Sequence, residues 1–413
     1  MEKKQTSSAK RSAIRLSLMA LISLLLLIPL AMVESLIEDR EDNMETIAIE
    51  VANSYAEAQT ISAPELLSTG LAKGHTSSIE NCQKLDYKAS VNTEVLHRSI
   101  YDVIVYCSKI DISGNFKVTE SLAKAISNIF IIGISDFKGL ASLPQLTFGG
   151  KTYNMGKGDN TIQTEVSLPA NVKVGDLVEF SITFDLKGTE FLAFQPNASE
   201  TTLKIESTYP HPSFKGTLLP THRDVRKDGF EATWSVLNMN INSPAAEIMT
   251  VEFINPVNPY QQATRSAKYG ILIIILVFVA GLLAELLSGK EISPIQYAII
   301  GLSLVLFYSL LLALSEFIAF DWAYVIAALM TTIALSLYFV GILKNSNGYI
   351  LGGFVALVYI VNYMLLQMET YALLAGSLML FILLCVVMYL TININTHKDE
   401  GAITSDNKQV ETK

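Results

Sequence analysis

The chain has 413 residues, of which 50% are hydrophobic and 17% charged, and its formal net charge is −9. This acidic balance argues against a surface that binds nucleic acid or anionic lipid. The hydrophobic residues are concentrated in six long stretches, a distribution that predicts an integral membrane protein.

The first hydrophobic stretch, residues 13–33, follows a basic N-terminal segment and contains no charge from Leu16 onward. It resembles a secretory signal, but its apolar core is too long for one and no small-residue cleavage site follows Pro29. We therefore expect an uncleaved signal anchor, with residues 1–12 in the cytoplasm. Beyond it, apolar residues continue at helical spacing over residues 35–58, which predicts that the first helix extends outward from the membrane.

Residues 34–268 are long enough to form a domain with its own core and are expected to be periplasmic. They contain 29 acidic and 20 basic residues, and this difference equals the net charge of the whole chain. After Pro64 the apolar residues alternate with a period of two, which predicts an antiparallel, sandwich-like β-rich domain. The predicted strands are 91–109, 126–135, 163–168, 177–186, 201–207, 230–237 and 248–253.

Residues 269–391 contain the other five stretches, each near the roughly 20 residues that a helix needs to cross a bilayer. Continuous apolarity predicts helices, because backbone groups in lipid must be satisfied within their own segment. Lys290 and Lys344 fall in the loops expected on the cytoplasmic side, which favours six spans with both termini in the cytoplasm. The five spans are 269–287, 295–314, 322–343, 349–367 and 371–391, and a polar, disordered tail at 392–413 follows.

The cysteines leave two interpretations open. Cys82 and Cys107 lie in the predicted periplasmic domain, where an oxidising compartment would permit a disulfide worth roughly 3 kcal/mol. The alternative is that Cys107 ends an apolar strand as a small hydrophobic residue, while Cys82 is a free loop thiol. Cys385 lies in the middle of the sixth predicted span and is interpreted as a packing residue.

The sequence contains no HExxH, GxSxG, Walker or glycine-rich nucleotide motif, so we expect neither a cofactor nor enzymatic activity. The five histidines do not have the spacing of metal ligands. His211 and His222 flank one proline-rich segment, and a pocket that placed either against Asp or Glu would favour an envelope enzyme instead.

Ionisable groups near the membrane are candidates for function, because a charge within the hydrocarbon is costly. The candidates are Glu285, Glu316 and Asp321, all near the ends of predicted spans. Glu285 could extend to the interface or pair with Lys290, and water is close to the other two, so a structural role is the simpler interpretation. No glycine- or proline-broken pair of helices is evident, so the usual features of an ion-coupled transporter are missing. A polar cavity between the five helices would favour a transporter or flippase-like protein.

Prolines and aromatic residues mark one segment of the predicted domain. Pro210, Pro212 and Pro220 restrict the backbone and remove donors, which predicts a rigid connection between strands. Phe214, Phe230 and Trp234 are expected to anchor this connection to the sheet. The residues either have a purely structural role or form a rigid surface for a protein partner or envelope ligand, for which the candidates are His211, Pro212, Phe214, Pro220 and Trp234.

Several motifs resemble those of the CreD family of bacterial inner membrane proteins. They are YPHPSFKG at 209–216, LLP at 218–220, GFEATW at 229–234, PVNPY at 256–260, KYG at 268–270 and SPIQY at 293–297, with Glu285, LSE at 314–316 and DWAY at 321–324. The resemblance covers about residues 209–391 and extends more weakly to HRSIY at 97–101 and FGG at 148–150. It implies a bacterial inner membrane protein of an envelope-stress regulon, with roles in envelope integrity, colicin tolerance and the response to β-lactams. It implies no reaction.

Three positions depart from the family pattern. Asn258 stands where the family usually has an acid, Ala63 stands where it has a glycine, and residues 392–395 replace an aromatic, basic end. The predicted protein is thus a six-helix membrane bundle (1 + 5) with an extracytoplasmic β-rich domain between helices 1 and 2. Its expected surroundings are the lipid bilayer and an envelope protein partner, not nucleic acid. The sequence does not determine its oligomeric state.

Overall fold

The computed structural model describes residues 17–70, 77–240, 247–253, 258–288, 292–344 and 347–367, with isolated positions at 374, 377, 381, 385 and 388. The chain divides into two compact units. One is helical and contains Met1–Glu41 and Asn258–Lys413, and the other is Asp42–Val257. The prediction placed these boundaries at residues 33 and 268, so the helical unit begins again about ten residues earlier than expected.

Seven α-helices have bounds within the described residues. The first is 39 residues long and contributes to both units, as the apolar spacing after residue 35 predicted. Pro29 lies inside it, and the helix continues past this proline because the amide of Leu30 donates to the carbonyl of Leu26. The helices are α1 (Ser17–Tyr55), α2 (Glu120–Lys124), α3 (Pro259–Lys268), α4 (Gly270–Ser288), α5 (Pro294–Ser315), α6 (Phe320–Leu343) and α7 (Asn347–Gln367).

Within the described residues, four helices are long and apolar enough to cross a membrane: α1, α5, α6 and α7. The pair α3 and α4 passes the same criterion jointly and is bent by 43°, so the number rises to five if this pair is one span. The sixth predicted span, 371–391, lies outside the described residues apart from the isolated positions, as do residues 1–12 and 392–413.

The bend between α3 and α4 corrects the expectation that no broken pair of helices is present. Helix α3 begins at Pro259, whose missing N–H costs nothing in a first turn, and ends at Lys268. One of its faces is buried through Tyr260, Ala263 and Ala267, whereas α4 is apolar except for Glu285 and Ser288 near its end. The chain therefore changes at Tyr269 from an amphipathic helix to a hydrophobic one.

The other unit is built mainly from sixteen β-strands within its described residues. They are β1 (Gln59–Ile61), β2 (Glu65–Thr69), β3 (Ser77–Arg98), β4 (Tyr101–Lys117), β5 (Ser127–Gly133), β6 (Gln145–Phe148), β7 (Lys151–Asn154), β8 (Gly156–Lys157), β9 (Thr161–Val166), β10 (Leu177–Thr189), β11 (Phe191–Phe194), β12 (Ala198–Ser207), β13 (Pro212–Gly216), β14 (His222–Arg226), β15 (Gly229–Leu237) and β16 (Met249–Phe253).

Two sheets contain these strands. The smaller has the order β1-β11-β16-β13, and the larger follows the path β7-β6-β10-β4-β3-β2-β5-β9-β8, with β12 pairing with both β3 and β15 and with β14 pairing with β15. Most pairs are antiparallel, as predicted, but β1 runs parallel to β11 and β12 runs parallel to β3. The β-rich unit is therefore predominantly antiparallel, and these two parallel pairs are the exceptions.

Alternation of apolar and polar residues explains the core. In β10 every second residue from Val178 to Leu186 is buried, and this regular pattern fixes which face of the strand points inward. A single cluster of buried side chains includes Phe194 and Val251 from the smaller sheet and Phe130 and Trp234 from the larger one. Burial of such side chains is the main stabilising contribution to the unit.

Two strand predictions need correction. The predicted strand 91–109 is in fact the tip of a long hairpin, in which β3 and β4 are joined by a turn at Ser99, whose φ is +59°. The predicted rigid connection around Pro212 contains a strand, because β13 pairs with β16. Pro212 is tolerated there because it is the first residue of the outermost strand of the small sheet.

Candidate functional site

An aromatic anchor lies behind β13. The ring centroid of Phe214 is 5.7 Å from that of Phe230 and 6.0 Å from that of Trp234. Trp234 is fully buried, and its indole Nε1 donates a hydrogen bond of 3.0 Å to the carbonyl oxygen of Leu218. These contacts join β13 and the following segment to β15, which agrees with the anchoring predicted from the sequence.

The burial pattern corrects the candidate surface. Trp234 is inaccessible to any partner, and Phe214 is half-buried against it, so both are core residues. His211 is exposed, with its ring 6.2 Å from that of Tyr209, while Pro212 and Pro220 are half-buried. The predicted group therefore divides into an internal aromatic support and an accessible edge.

Two residues of this accessible edge were not among the candidates. Leu219 is 65% exposed, which is unusual for a large apolar side chain between two ordered strands. Lys215 projects from β13, and its Nζ lies 2.8 Å from Oε2 of Glu252 on β16. Together with His211, these residues form what we call the β13 surface: His211, Lys215 and Leu219. The sequence feature that could have identified Leu219 is the leucine pair 218–219, because only Leu218 packs against the core.

The histidines are not arranged as acid–base pairs at the positions singled out. Within the described residues, neither His211 nor His222 forms a hydrogen bond or ion pair with a carboxylate. His97 does: its Nδ1 lies 2.6 Å from Oδ1 of Asp102, but both side chains are largely exposed at the tip of the β3–β4 hairpin. No group of three or more His, Cys, Asp or Glu side chains suited to a metal occurs in the part of the chain that the structure describes.

The disulfide alternative is contradicted by the structure. Cys82 and Cys107 are both free thiols, and Cys107 pairs across the hairpin with Asn92 rather than with Cys82. Ten residues of β3 separate Cys82 from Asn92, which corresponds to about 33 Å of extended strand. No disulfide can cover that distance.

The alternative interpretation, in which Cys107 is a hydrophobic strand residue and Cys82 a loop thiol, was also wrong about which cysteine is buried. Cys82 is buried and donates to the carbonyl oxygen of Pro64 at 3.3 Å, while Cys107 is exposed. Burial raises the pKa of the Cys82 thiol well above its usual value, and the neighbouring Glu65 carboxylate adds to this shift. Cys82 is therefore an unreactive core residue.

Glu285 and Glu316 each have a polar partner in the helical unit. The hydroxyl of Tyr297 donates to Oε2 of Glu285 over 3.4 Å, and the predicted partner Lys290 lies outside the described residues. Glu316 follows α5, has a side chain only 11% exposed, and lies 3.6 Å from Nε of Arg40 on α1. This ion pair offsets part of the cost of burying the carboxylate.

Asp321 is part of a hydrogen-bonded group that joins α6 to α7. Its Oδ1 accepts a hydrogen bond of 2.8 Å from the hydroxyl of Tyr363 and one of 3.2 Å from Nε2 of Gln367. Gln367 also donates to the Tyr363 hydroxyl at 3.0 Å. Since both bonds that described residues make to the carboxylate end on one oxygen, Oδ2 is available to a further donor.

A second polar group lies deeper in the helical unit. Asn362 on α7 is buried, and its Nδ2 donates to Oγ of Ser266 at 3.3 Å and to the hydroxyl of Tyr324 at 3.0 Å. The Tyr324 hydroxyl in turn donates to the carbonyl oxygen of Tyr359. These contacts join α7 to α3 and α6, so Asn362 is a helix-packing residue. Oδ1 of Asn362 is buried and has no hydrogen-bond partner in the part of the chain that the structure describes.

Asn258 connects α3 to α1 within the same unit. Its Oδ1 accepts hydrogen bonds from the amides of Tyr260 and Gln261, so it caps α3. Its Nδ2 donates to Oε1 of Glu41 over 3.1 Å. An amide can both accept and donate, whereas an acid, which the family resemblance led us to expect at this position, could only accept. Asn258 thus uses both functions of its amide, one to cap α3 and the other to contact Glu41.

Comparison with known proteins assigns the chain to a family. The family model described as "Inner membrane protein CreD" matches residues 11–397. The chain belongs to the CreD family of inner membrane proteins. The inner membrane protein CreD of Escherichia coli (strain K12) is 28% identical over 409 residues, and the match covers 90% of this chain and 91% of that protein. The resemblance recognised from the motifs is confirmed.

Comparison with solved structures is much less informative than the CreD match. Crystal structures of an M1 zinc metallopeptidase from Deinococcus radiodurans align with 41% of this chain and 41% or 42% of theirs, at 11% sequence identity. Their TM-scores are 0.25 and 0.23. Scores this low are no basis for inferring a shared fold or activity.

Proposed function

We propose that this CreD-family protein acts in envelope integrity and the envelope stress response without catalysing a reaction. The β-rich unit then lies in the periplasm and docks an envelope component, while both ends of the chain are cytoplasmic. Colicin tolerance and the response to β-lactams, which the family resemblance implies, are the phenotypes expected to depend on it. Membership of an inner membrane family and the apolar helices support the location.

The observation that carries this proposal is the position of β13. It is the terminal strand of the small sheet, and β16 is its only partner among the described strands. The outer edge of such a strand offers backbone donors and acceptors to an added strand. The β13 surface places the exposed groups of His211, Lys215 and Leu219 beside this edge, on the rigid support of Trp234.

The experiment is a deletion of the gene followed by complementation. Leakage of a periplasmic enzyme and sensitivity to β-lactam and detergent are measured for the deletion strain and for strains carrying wild type, Leu219→Glu or Val225→Glu. Val225 is the matched control, because it is also an exposed apolar residue and lies nearby on the edge strand β14. Membrane levels of each variant are compared by immunoblotting.

We expect the deletion strain to leak and to become sensitive, and we expect wild type and Val225→Glu to restore resistance. Leu219→Glu should restore it poorly at the same membrane level, because a buried carboxylate would oppose docking. A deletion without any envelope phenotype would contradict the proposed role. Full rescue by Leu219→Glu would contradict docking at the β13 surface.

The proposed topology has a separate test in Cys107, which is exposed in the β-rich unit. A thiol reagent that cannot cross membranes should label Cys107 in spheroplasts without lysis. Labelling that requires lysis would place the unit in the cytoplasm.

A transporter or flippase-like protein is the second candidate. The bend of 43° between α3 and α4 favours it, because broken helices line the binding sites of many transporters. Ser266 on α3 and Asn362 on α7 form a buried polar contact close to this bend. Loss of substrate flux in Asn362→Leu, with the Leu219→Glu variant unaffected, would favour transport over docking. An envelope enzyme with a site near His211 is the remaining alternative, and it requires a carboxylate partner for that histidine.

A further inference from the structure

A groove runs between α6 and α7 in the helical unit and encloses about 240 Å³. Its walls include Val325, Ala328 and Leu329 on α6 and Ala356, Ile360 and Met364 on α7. Leu329, Ile360 and Met364 are more than half exposed. Since both helices are apolar enough to span a membrane, these side chains face hydrocarbon rather than water.

One end of the groove is polar. Tyr363 lines the groove and donates to Asp321, the second residue of α6, and Gln367, the last residue of α7, donates to the same oxygen. Among the described residues, no lysine, arginine or histidine forms an ion pair with Asp321. A carboxylate with one oxygen still available is complementary to a cationic donor such as a primary ammonium group.

The groove has the depth of one leaflet. On α6 the lining of the groove runs from Tyr324 to Thr332, and Asp321 lies about one turn before Tyr324. Asp321 and Thr332 are eleven positions apart, which corresponds to about 16 Å of helix. The hydrocarbon of a bilayer is about 30 Å thick, so the groove together with Asp321 extends over about half of it. Its polar end is at the helix termini, where lipid head groups lie.

We propose that the groove between α6 and α7 binds one membrane lipid that carries a primary ammonium in its head group. One acyl chain lies along Ala328 and Ile360, and the ammonium donates to Asp321. The bilayer is as apolar as the groove, so an acyl chain that enters the groove gains packing contacts but no hydrophobic transfer energy. The head group therefore accounts for most of the selectivity among lipids. This site is separate from the β13 surface and does not depend on a role in envelope stress.

The test is native mass spectrometry of the full-length protein purified in detergent. Three lipids with identical acyl chains are titrated: phosphatidylethanolamine, its trimethylated form phosphatidylcholine, which has no donor, and the anionic phosphatidylglycerol. The variants are Asp321→Asn and Ala328→Phe, which fills the groove. Ala313→Phe is the matched control, because Ala313 is an exposed alanine on α5. The melting temperature of each variant checks that it is folded.

We expect wild type and Ala313→Phe to retain one phosphatidylethanolamine, with an affinity about three- to tenfold above that for the other two lipids. Asp321→Asn should bind all three lipids equally, because the chain still fits but the charge is lost. Ala328→Phe should retain none of them.

Equal binding of the three lipids by wild type would overturn the head-group assignment, and stronger binding of phosphatidylglycerol would do the same. Equal retention by Ala328→Phe and Ala313→Phe would overturn the groove as the site. It would then follow that lipid binds elsewhere on the protein. A variant that unfolds is replaced by Ala356→Phe, which fills the groove from α7.

Discussion

Trp234 allows a quantitative test of the aromatic support behind β13. Its side chain is fully buried, its indole donates to Leu218, and the ring of Phe214 packs on it. Trp234→Ala removes these contacts and leaves a cavity, at a cost of about 3–5 kcal/mol. Trp234→Phe keeps much of the volume but leaves the Leu218 carbonyl without its partner, and we expect a loss of about 1–3 kcal/mol.

Hydrogen–deuterium exchange of the full-length protein in detergent measures these losses locally. If amides in β12, β13 and β15 exchange through opening of this region, their exchange should accelerate by about a hundredfold or more in Trp234→Ala, since each 1.4 kcal/mol is tenfold. Trp234→Phe should accelerate the same amides by about five- to a hundredfold. Leu219→Glu is the control and should leave them unchanged, because Leu219 is exposed. Unchanged exchange in Trp234→Ala would refute the structural role.

Three further predictions concern thiols, a carboxyl group and an ion pair. Cys107 should react with a thiol reagent in the folded protein while Cys82 reacts only after denaturation, which mass spectrometry of labelled peptides checks; equal rates would contradict the burial of Cys82. Burial raises the pKa of Glu65, so its charged carboxylate destabilises the folded state. Glu65→Gln should therefore raise the melting temperature at pH 7. This gain should disappear as the pH falls through the folded-state pKa to below the unfolded-state pKa. Arg40→Gln should destabilise the helical unit by about 1–2 kcal/mol, because Glu316 is then left largely buried without this partner, and adding Glu316→Gln should recover most of the loss in thermal unfolding.

The hydrophobic pattern predicted the apolar helices and the regular strands because it directly reflects burial. The predicted strand 177–186 lies inside β10, where apolar and polar residues alternate without interruption. The predicted span 295–314 lies inside α5, whose N-terminus is capped by a box of Ser293 and Gln296. In such segments local sequence and tertiary environment require the same structure.

The prediction failed where a turn or an edge lacked its usual residues. The β3–β4 turn has Ser99 at positive φ where glycine or asparagine is typical, so the sequence showed one strand in place of two. Pro212 argued against a strand, but β13 needs fewer backbone donors because it lies at the edge of its sheet. Edge position is a property of the sheet, and the local sequence does not contain it.

The polar contacts were the least predictable part of the candidate sites. Asp321 was identified as a candidate, but its partners Tyr363 and Gln367 are more than forty residues away and come from the next helix. Arg40 was not considered as a partner for Glu316, because a pairing between α1 and the end of α5 depends on how the helices pack. One sequence does not reveal contacts between residues that are far apart in the chain. The cost of an unpaired charge near lipid did indicate which acidic residues to consider.

Asn258 allows the departure from the family pattern to be tested directly. In Asn258→Asp the carboxylate still caps α3, but it faces the carboxylate of Glu41 instead of donating to it. We expect a loss of about 1–2 kcal/mol in the thermal or chemical unfolding of the full-length protein, from the lost hydrogen bond and the like-charge repulsion. Adding Glu41→Gln should restore stability, because the glutamine amide can donate to the new carboxylate. Equal losses in Asn258→Asp and in the double variant would contradict a direct contact between the two side chains. Recovery would mean that an acid at position 258 is compatible with this architecture when residue 41 can donate, and it would explain how one cap can be an acid in relatives and an amide here.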